Sequence, residues 1–166
     1  MNFNSVLLGL HLFSAATWFG AAFLFGIVVG PTIGDFTPTT SGEVVVKMLP
    51  KYLRFIGIFT FLTPVLGLIA GLSASNGEFG ALFSPSTTSG VYMLAGGALS
   101  LFAWGVTFAV VLPTGRKIVK ITREFVKNQT PQPPGLPKLA MRLKISSGIV
   151  LVLLIAILIC MVAASG

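Results

Sequence analysis

Acid is scarce in this chain, and none of it lies where a membrane enzyme would keep it. Four residues are Asp or Glu, and Asp35, Glu43, Glu78 and Glu124 all fall in hydrophilic connections. No apolar run holds a pair of carboxylates, which argues against a di-iron centre or a carboxylate proton relay. Histidine occurs once, at His11, so a bis-histidine haem within one chain is excluded. Cysteine also occurs once, at Cys160, which rules out an intramolecular disulfide. There is no Gly-rich phosphate loop, and no Ser/His/Asp set can meet in one membrane layer. No second titratable group lies within a span to act beside His11 as acid, base or co-ligand, so turnover by this chain alone is not expected.

What the chain has in quantity is apolar sequence. Hydrophobic residues make up 54% and charged residues 9%, against roughly 25% charged in soluble domains. The remaining charge is nearly all basic and sits in two places. Lys47, Lys51 and Arg54 lie between the first and second apolar runs. Arg116, Lys117, Lys120, Arg123, Lys127, Lys138, Arg142 and Lys144 lie between the third and fourth. Both termini and the middle connection carry none. With four membrane crossings the two basic connections share one side, as the positive-inside bias requires. The expectation is a multi-pass protein of the cell membrane with its N- and C-termini outside. The net charge of +7 is then suited to anionic lipid headgroups, and no nucleic-acid partner is expected. The N-terminus has no basic region or clear cleavage site ahead of its apolar stretch, so it reads as a retained first helix.

The fold expected is all-α, an integral membrane four-helix bundle forming a single domain over 1–166. The spans fall at about 5–29, 55–74, 90–112 and 145–164, each close to the 20 or so residues a bilayer needs. Pro64 falls inside the second span, where it frees a carbonyl and kinks the rod. Within 31–54, EVVVKMLPKYLR reads as a short interfacial helix, and 75–89 as a short outer loop. In the third connection Ile118, Ile121, Thr122 and Phe125 recur at helical spacing opposite the charges. The third helix therefore continues past the membrane or turns along its surface, until QTPQPPGLPK stops it.

The first span closes with Val28-Val29-Gly30-Pro31-Thr32 and the third with Val110-Val111-Leu112-Pro113-Thr114. Each is followed by a basic loop and by a helix entered behind an arginine, Arg54 or Arg142. The halves 1–83 and 84–166 then read as two tandem helical hairpins in the same orientation. Coincidence is the alternative, because such a sequence is a common way to end a membrane helix.

His11 is the one ionisable residue clearly within a span. Ser14, Ala15 and Trp18 share its face, and an imidazole turned to hydrocarbon would leave a donor and an acceptor unpaired at a cost of several kcal/mol. His11 is therefore expected to face the bundle. By depth, Met93, Cys160 and Met161 occupy the same outer layer. An imidazole with soft sulfur ligands suits Cu(I), and His with Met is also a haem axial pair. The competing account makes His11 a hydrogen-bonded seam residue and the methionines gap-fillers. Arg54 and Arg142 either snorkel to headgroups or neutralise a haem propionate or an acidic lipid.

The segment Leu10-His11-Leu12-Phe13 with Trp18-Phe19-Gly20, ending near Pro31, resembles the opening helix of the copper-resistance protein D family. The second span from Arg54-Phe55 to Leu66-Gly67-Leu68, and the last span behind Arg142-Leu143, are similar to the same family. The resemblance implies copper movement across the inner membrane, or haem b binding as in related four-helix domains, with His11 as the residue carried over as ligand. This chain departs from the family in having one histidine and a shorter length than the full copper transporter.

Two readings follow. In one, the protein handles copper or haem near the outer face, with Met93 or Met161 within reach of His11 or with ligands from a partner chain. In the other, it is a non-catalytic accessory subunit that packs against a larger membrane oxidase or oxygenase, or against itself. Then Gly20, Gly26, Gly67, Gly71, Gly96 and Gly97 offer outward faces for packing, and His11 hydrogen-bonds a neighbouring helix.

Overall fold

Four long helices account for the chain in a computed structural model that describes residues 3–75, 77–78, 80 and 84–165. They are α1 (Phe3–Gly34), α2 (Pro38–Ala74), α3 (Thr88–Asn128) and α4 (Leu136–Ser165). Each is long and apolar enough to cross a membrane, each contains one expected span, and there is no strand among the described residues. The protein is an all-α, polytopic membrane bundle. The expected outer loop over 75–89 falls partly outside the described residues, at 76, 79 and 81–83, as does the expected break between the halves.

Local chemistry sets the helix ends. The Thr37 side chain accepts from the Thr40 N–H, ahead of Pro38 in the first turn of α2. Thr87 caps α3 in the same way through the Gly90 N–H. Both are the N-cap arrangement that satisfies an orphan donor. At the other end of α3, Gln129 turns left-handed with φ 51°, and the proline-rich stretch that follows cannot extend the helix.

Helix α2 is longer than expected. Pro38 to Ala74 is one continuous helix of 37 residues with Pro50 and Pro64 inside it, so 38–54 is a direct extension of the second span. At 1.5 Å per residue it is about 55 Å long, well beyond the ~30 Å of a hydrocarbon core. Helix α3 likewise continues through its basic tail. The start of α2 and the tail of α3 pack together. Val126 and Phe125 close onto Gly42, and Leu53 onto Gly115. Leu49, Leu53, Leu112, Ile118 and Val119 are buried there. These two segments form a helical stalk carrying most of the cations. On the α3 tail Ile118 and Thr122 are buried and Ile121 and Phe125 half-buried, as their spacing predicts; Arg116, Lys117, Lys120 and Arg123 are exposed.

Within the membrane portion, α1 packs along α2 and α3 along α4. Both α1 and α3 widen to a π-helix just before their prolines, at Leu24–Val29 and Thr107–Val111. The Gly30 N–H reaches back to the Phe25 carbonyl and the Leu112 N–H to the Thr107 carbonyl, five residues each. Proline lacks an N–H and its ring crowds the carbonyl four residues back. Widening the preceding turn relieves that crowding, at the same place in both halves. A second shared signature is Leu49-Pro50-Lys51 in α2 and Leu136-Pro137-Lys138 opening α4, with both leucines buried. The paired π segments and the repeated Leu-Pro-Lys, inside α2 and at the start of α4, are features that two tandem hairpins would share.

Candidate functional site

His11 lies in the seam between α1 and α2, half-buried and turned into the bundle. Its Nδ1 is 2.9 Å from the Thr63 carbonyl oxygen. A carbonyl only accepts, so Nδ1 carries the proton and donates. In the neutral ring this leaves Nε2 with its lone pair, the state in which imidazole binds a metal. The same bond ties α1 to α2.

Gly67 makes the contact possible. A helical carbonyl points toward the residue four positions on, so a side chain at 67 would screen the Thr63 oxygen. A Cβ placed there would stand 2.7 Å from His11 Cε1 and 2.9 Å from Nδ1, closer than carbon atoms approach. The imidazole occupies the space a side chain would fill. Pro64 sits between the two residues and removes the N–H that would bond the Thr60 carbonyl.

The seam around the ring is polar and ordered. Thr63 Oγ1 donates to the Phe59 carbonyl at 2.7 Å. Its single proton is thus committed, so Ser14 Oγ must donate to Thr63 Oγ1 across 2.9 Å. About two turns beyond the ring toward the helix ends, Asn4 Nδ2 donates to the Ser73 carbonyl and Ser73 Oγ donates to Asn4 Oδ1. On the other side of the ring Trp18 closes the seam at 1% exposure. Its Nε1, and Thr60 Oγ1, are buried without a hydrogen-bond partner. The carbonyl that His11 bonds comes from α2, and the antiparallel register that brings Thr63 opposite His11 is not a pattern in either segment alone.

The other candidate ligands occupy different surroundings. Cys160 is half-buried between α3 and α4, with its Cβ 3.4 Å from the position a Gly96 Cβ would take. Met161 is half-buried beside it in sequence, and Met93 is 39% exposed. Met93 stands twenty residues before Pro113, as His11 stands twenty before Pro31. Among the described residues no three of His, Cys, Asp and Glu gather in a way that could hold a metal. Arg54 lies nine residues before Thr63 on α2, about 13 Å along the axis. Arg142 lies near the start of α4 beside Lys138 and Lys117. The two arginines thus mark the basic end of the bundle and His11 the other.

Gly67 and Gly96 do not offer the outward packing faces expected of them: the His11 ring occupies the space over the first, and the second is buried facing Cys160 on α4. A Cβ on Gly20 or Gly26 would meet nothing within 4 Å, so those two remain available to a neighbour. The chain matches no protein-family model, no curated protein and no solved structure.

Proposed function

We propose that this protein is a membrane subunit that contributes one imidazole nitrogen, His11 Nε2, to a copper site near the outer face, with the remaining ligands supplied by another chain. The observation that carries the proposal is the Nδ1 bond to the Thr63 carbonyl. It fixes the tautomer, orients the ring and leaves Nε2 as an acceptor. The chain's own seam satisfies one ring nitrogen and supplies no second imidazole. The hydrogen bond to a neighbouring helix is the mark of the subunit reading, and the free Nε2 is what the copper reading needs; the proposal joins them. The resemblance to the copper-resistance protein D family, carried by short motifs around His11, Arg54 and Arg142, adds support for copper over other metals. Met93, Met161 and Cys160 match His11 in depth but stand outside the α1–α2 seam, which is why the further copper ligands are assigned to another chain; haem b would instead use His11 as an axial ligand.

The two ring nitrogens can be tested apart. His11→Asn places an amide N–H where Nδ1–H stands and has nothing at Nε2. It should keep the α1–α2 seam and fold as the wild type. Copper content of the purified protein, alone and with its co-purifying partners, should fall to background. Wild-type copper content in His11→Asn would confine His11 to a structural role. A Soret band lost in the variant, with no copper in either protein, would assign the site to haem iron.

The basic stalk is proposed to face the cytoplasm, with both termini outside, on the distribution of Lys and Arg. In a Cys160→Ala background, a cysteine introduced at exposed Thr87 should label from outside and one at exposed Gln132 only after permeabilisation. The reverse pattern would invert the topology.

A further inference from the structure

We infer that the basic end of the bundle holds a binding site for the phosphate headgroup of an anionic phospholipid. A cavity of about 410 Å3 opens between the tail of α3 and the start of α4. Lys117 from α3 and Lys138 and Arg142 from α4 line it, with Ile121, Leu136 and Leu139 forming its apolar wall. No carboxylate lines the cavity. The one ion pair among the described residues, Lys47 with Glu43 at 3.9 Å, belongs to the α2 part of the stalk. Glu124 is the only acidic residue of the 114–144 connection and is exposed outside the lining. Three cations from two elements therefore converge on a space that contains no opposing charge.

The lining selects the occupant. A free phosphate ion would use the cations and leave the apolar wall idle. A phospholipid presents an anionic phosphate joined to hydrocarbon, which matches both parts. The volume falls within the range of small-molecule pockets, roughly 300–1,000 Å3, and leaves room for glycerol beside the phosphate. Its place also fits, because the cavity lies where the α3 tail leaves the membrane portion and α4 enters it. Basic pockets between membrane helices are known takers of anionic headgroups. The site is separate from His11, so its fate does not depend on the proposed metal role.

The test uses the full chain in detergent and native mass spectrometry with dioleoyl phosphatidylglycerol, dioleoyl phosphatidylcholine or inorganic phosphate as probes. Phosphatidylglycerol should bind in defined stoichiometry and more tightly than phosphatidylcholine. Each cation near an anionic headgroup is worth roughly fivefold. The triple variant Lys117→Gln, Lys138→Gln, Arg142→Gln should therefore weaken phosphatidylglycerol binding by about a hundredfold. The control Arg116→Gln, Lys120→Gln, Arg123→Gln removes the same charge from exposed positions on the same helix, outside the cavity, and should weaken it less than tenfold. Leu139→Trp, which fills the apolar wall while keeping every cation, should also abolish the tight binding. Equal losses in the two triple variants would overturn the site in favour of net charge. So would equal affinity for the two lipids, or displacement of phosphatidylglycerol by millimolar inorganic phosphate.

Discussion

Replacing Gly67 by alanine should unseat His11 and weaken the α1–α2 hairpin by about 2–3 kcal/mol. The added carbon would lie 2.7 Å from the ring, and the neighbour that must yield is a planar group held between two helices. Moving it breaks the 2.9 Å bond to the Thr63 carbonyl. An interhelical hydrogen bond in a membrane protein is worth about 0.6–2 kcal/mol, and a buried polar group left without a partner costs about 1–3 kcal/mol. The intrinsic helix preference for alanine over glycine, about 1 kcal/mol, works in the opposite direction and is smaller. Denaturant unfolding in mixed micelles measures the loss, and copper analysis of the same samples measures whether Nε2 is still in place. Gly20→Ala is the companion variant. With nothing within 4 Å of its new carbon, it should leave both readouts unchanged. Full stability together with wild-type metal content in Gly67→Ala would show that His11 is not seated on this glycine.

Trp18→Ala should cost about 3 kcal/mol. Trp18 is the largest of the fully buried side chains, at 1% exposure, and belongs to the core cluster with Ala22, Ile56 and Ala103. In water the truncation of a buried aromatic costs about 3–5 kcal/mol, part of it transfer and part the void left behind. In lipid the transfer part is small, because acyl chains are as apolar as the protein interior. The void and its lost dispersion contacts remain, and they place the effect at the lower end. Removal of the unpartnered Nε1–H returns some of the loss, so Trp18→Phe should be far milder than Trp18→Ala. The other tryptophan is the comparison. Trp104 is only half-buried, with its ring tilted 40° to that of Phe108 at 4.9 Å between centroids, and Trp104→Ala should cost less than half as much. Equal losses at the two positions would mean that the bundle is not packed around Trp18.

The parts of the fold that could be read from the chain are those that depend on one coordinate, depth. Counting lysines and arginines between apolar runs yields the crossings, and the four helices follow. The same reasoning placed His11, Met93, Cys160 and Met161 in one layer. What depth does not contain is the direction a side chain points around its helix. Each π segment holds about one residue more than the α-helix it interrupts, which turns everything beyond it by about 100°. An α-helical wheel drawn through such a segment loses its phase. His11 could still be turned inward, because the cost of an unpaired imidazole in lipid admits little else. Its partner could not be named, because Thr63 meets it only through the packing register of α1 on α2. The sequence does hold one pointer to that partner. Gly67 stands four residues after Thr63, with Pro64 between, and such a glycine bares a carbonyl to a neighbouring helix. The full length of α2 was hidden too. The segment EVVVKMLPKYLR reads as a separate interfacial helix, yet α2 runs through it into the second span, because the stalk packing holds the helix along that stretch.

The paired π segments also bear on ancestry. Such a segment arises when one residue is inserted into an existing helix. If the halves descend from one unit, an insertion found at the same distance before Pro31 and Pro113 was made once, before duplication. The unit that carried it was a two-helix hairpin, too small to enclose a core. It could bury Trp18 or its counterpart only against another copy of itself. The progenitor would then have been a homodimer about an axis along the membrane normal, with a histidine or methionine at the same height in each copy. Fusion of the two copies would then have freed the positions to diverge: His11 with Gly67 beneath it stands in one half, and Met93, with Leu154 at the place matching Gly67 in the Leu-Pro-Lys register, stands in the other.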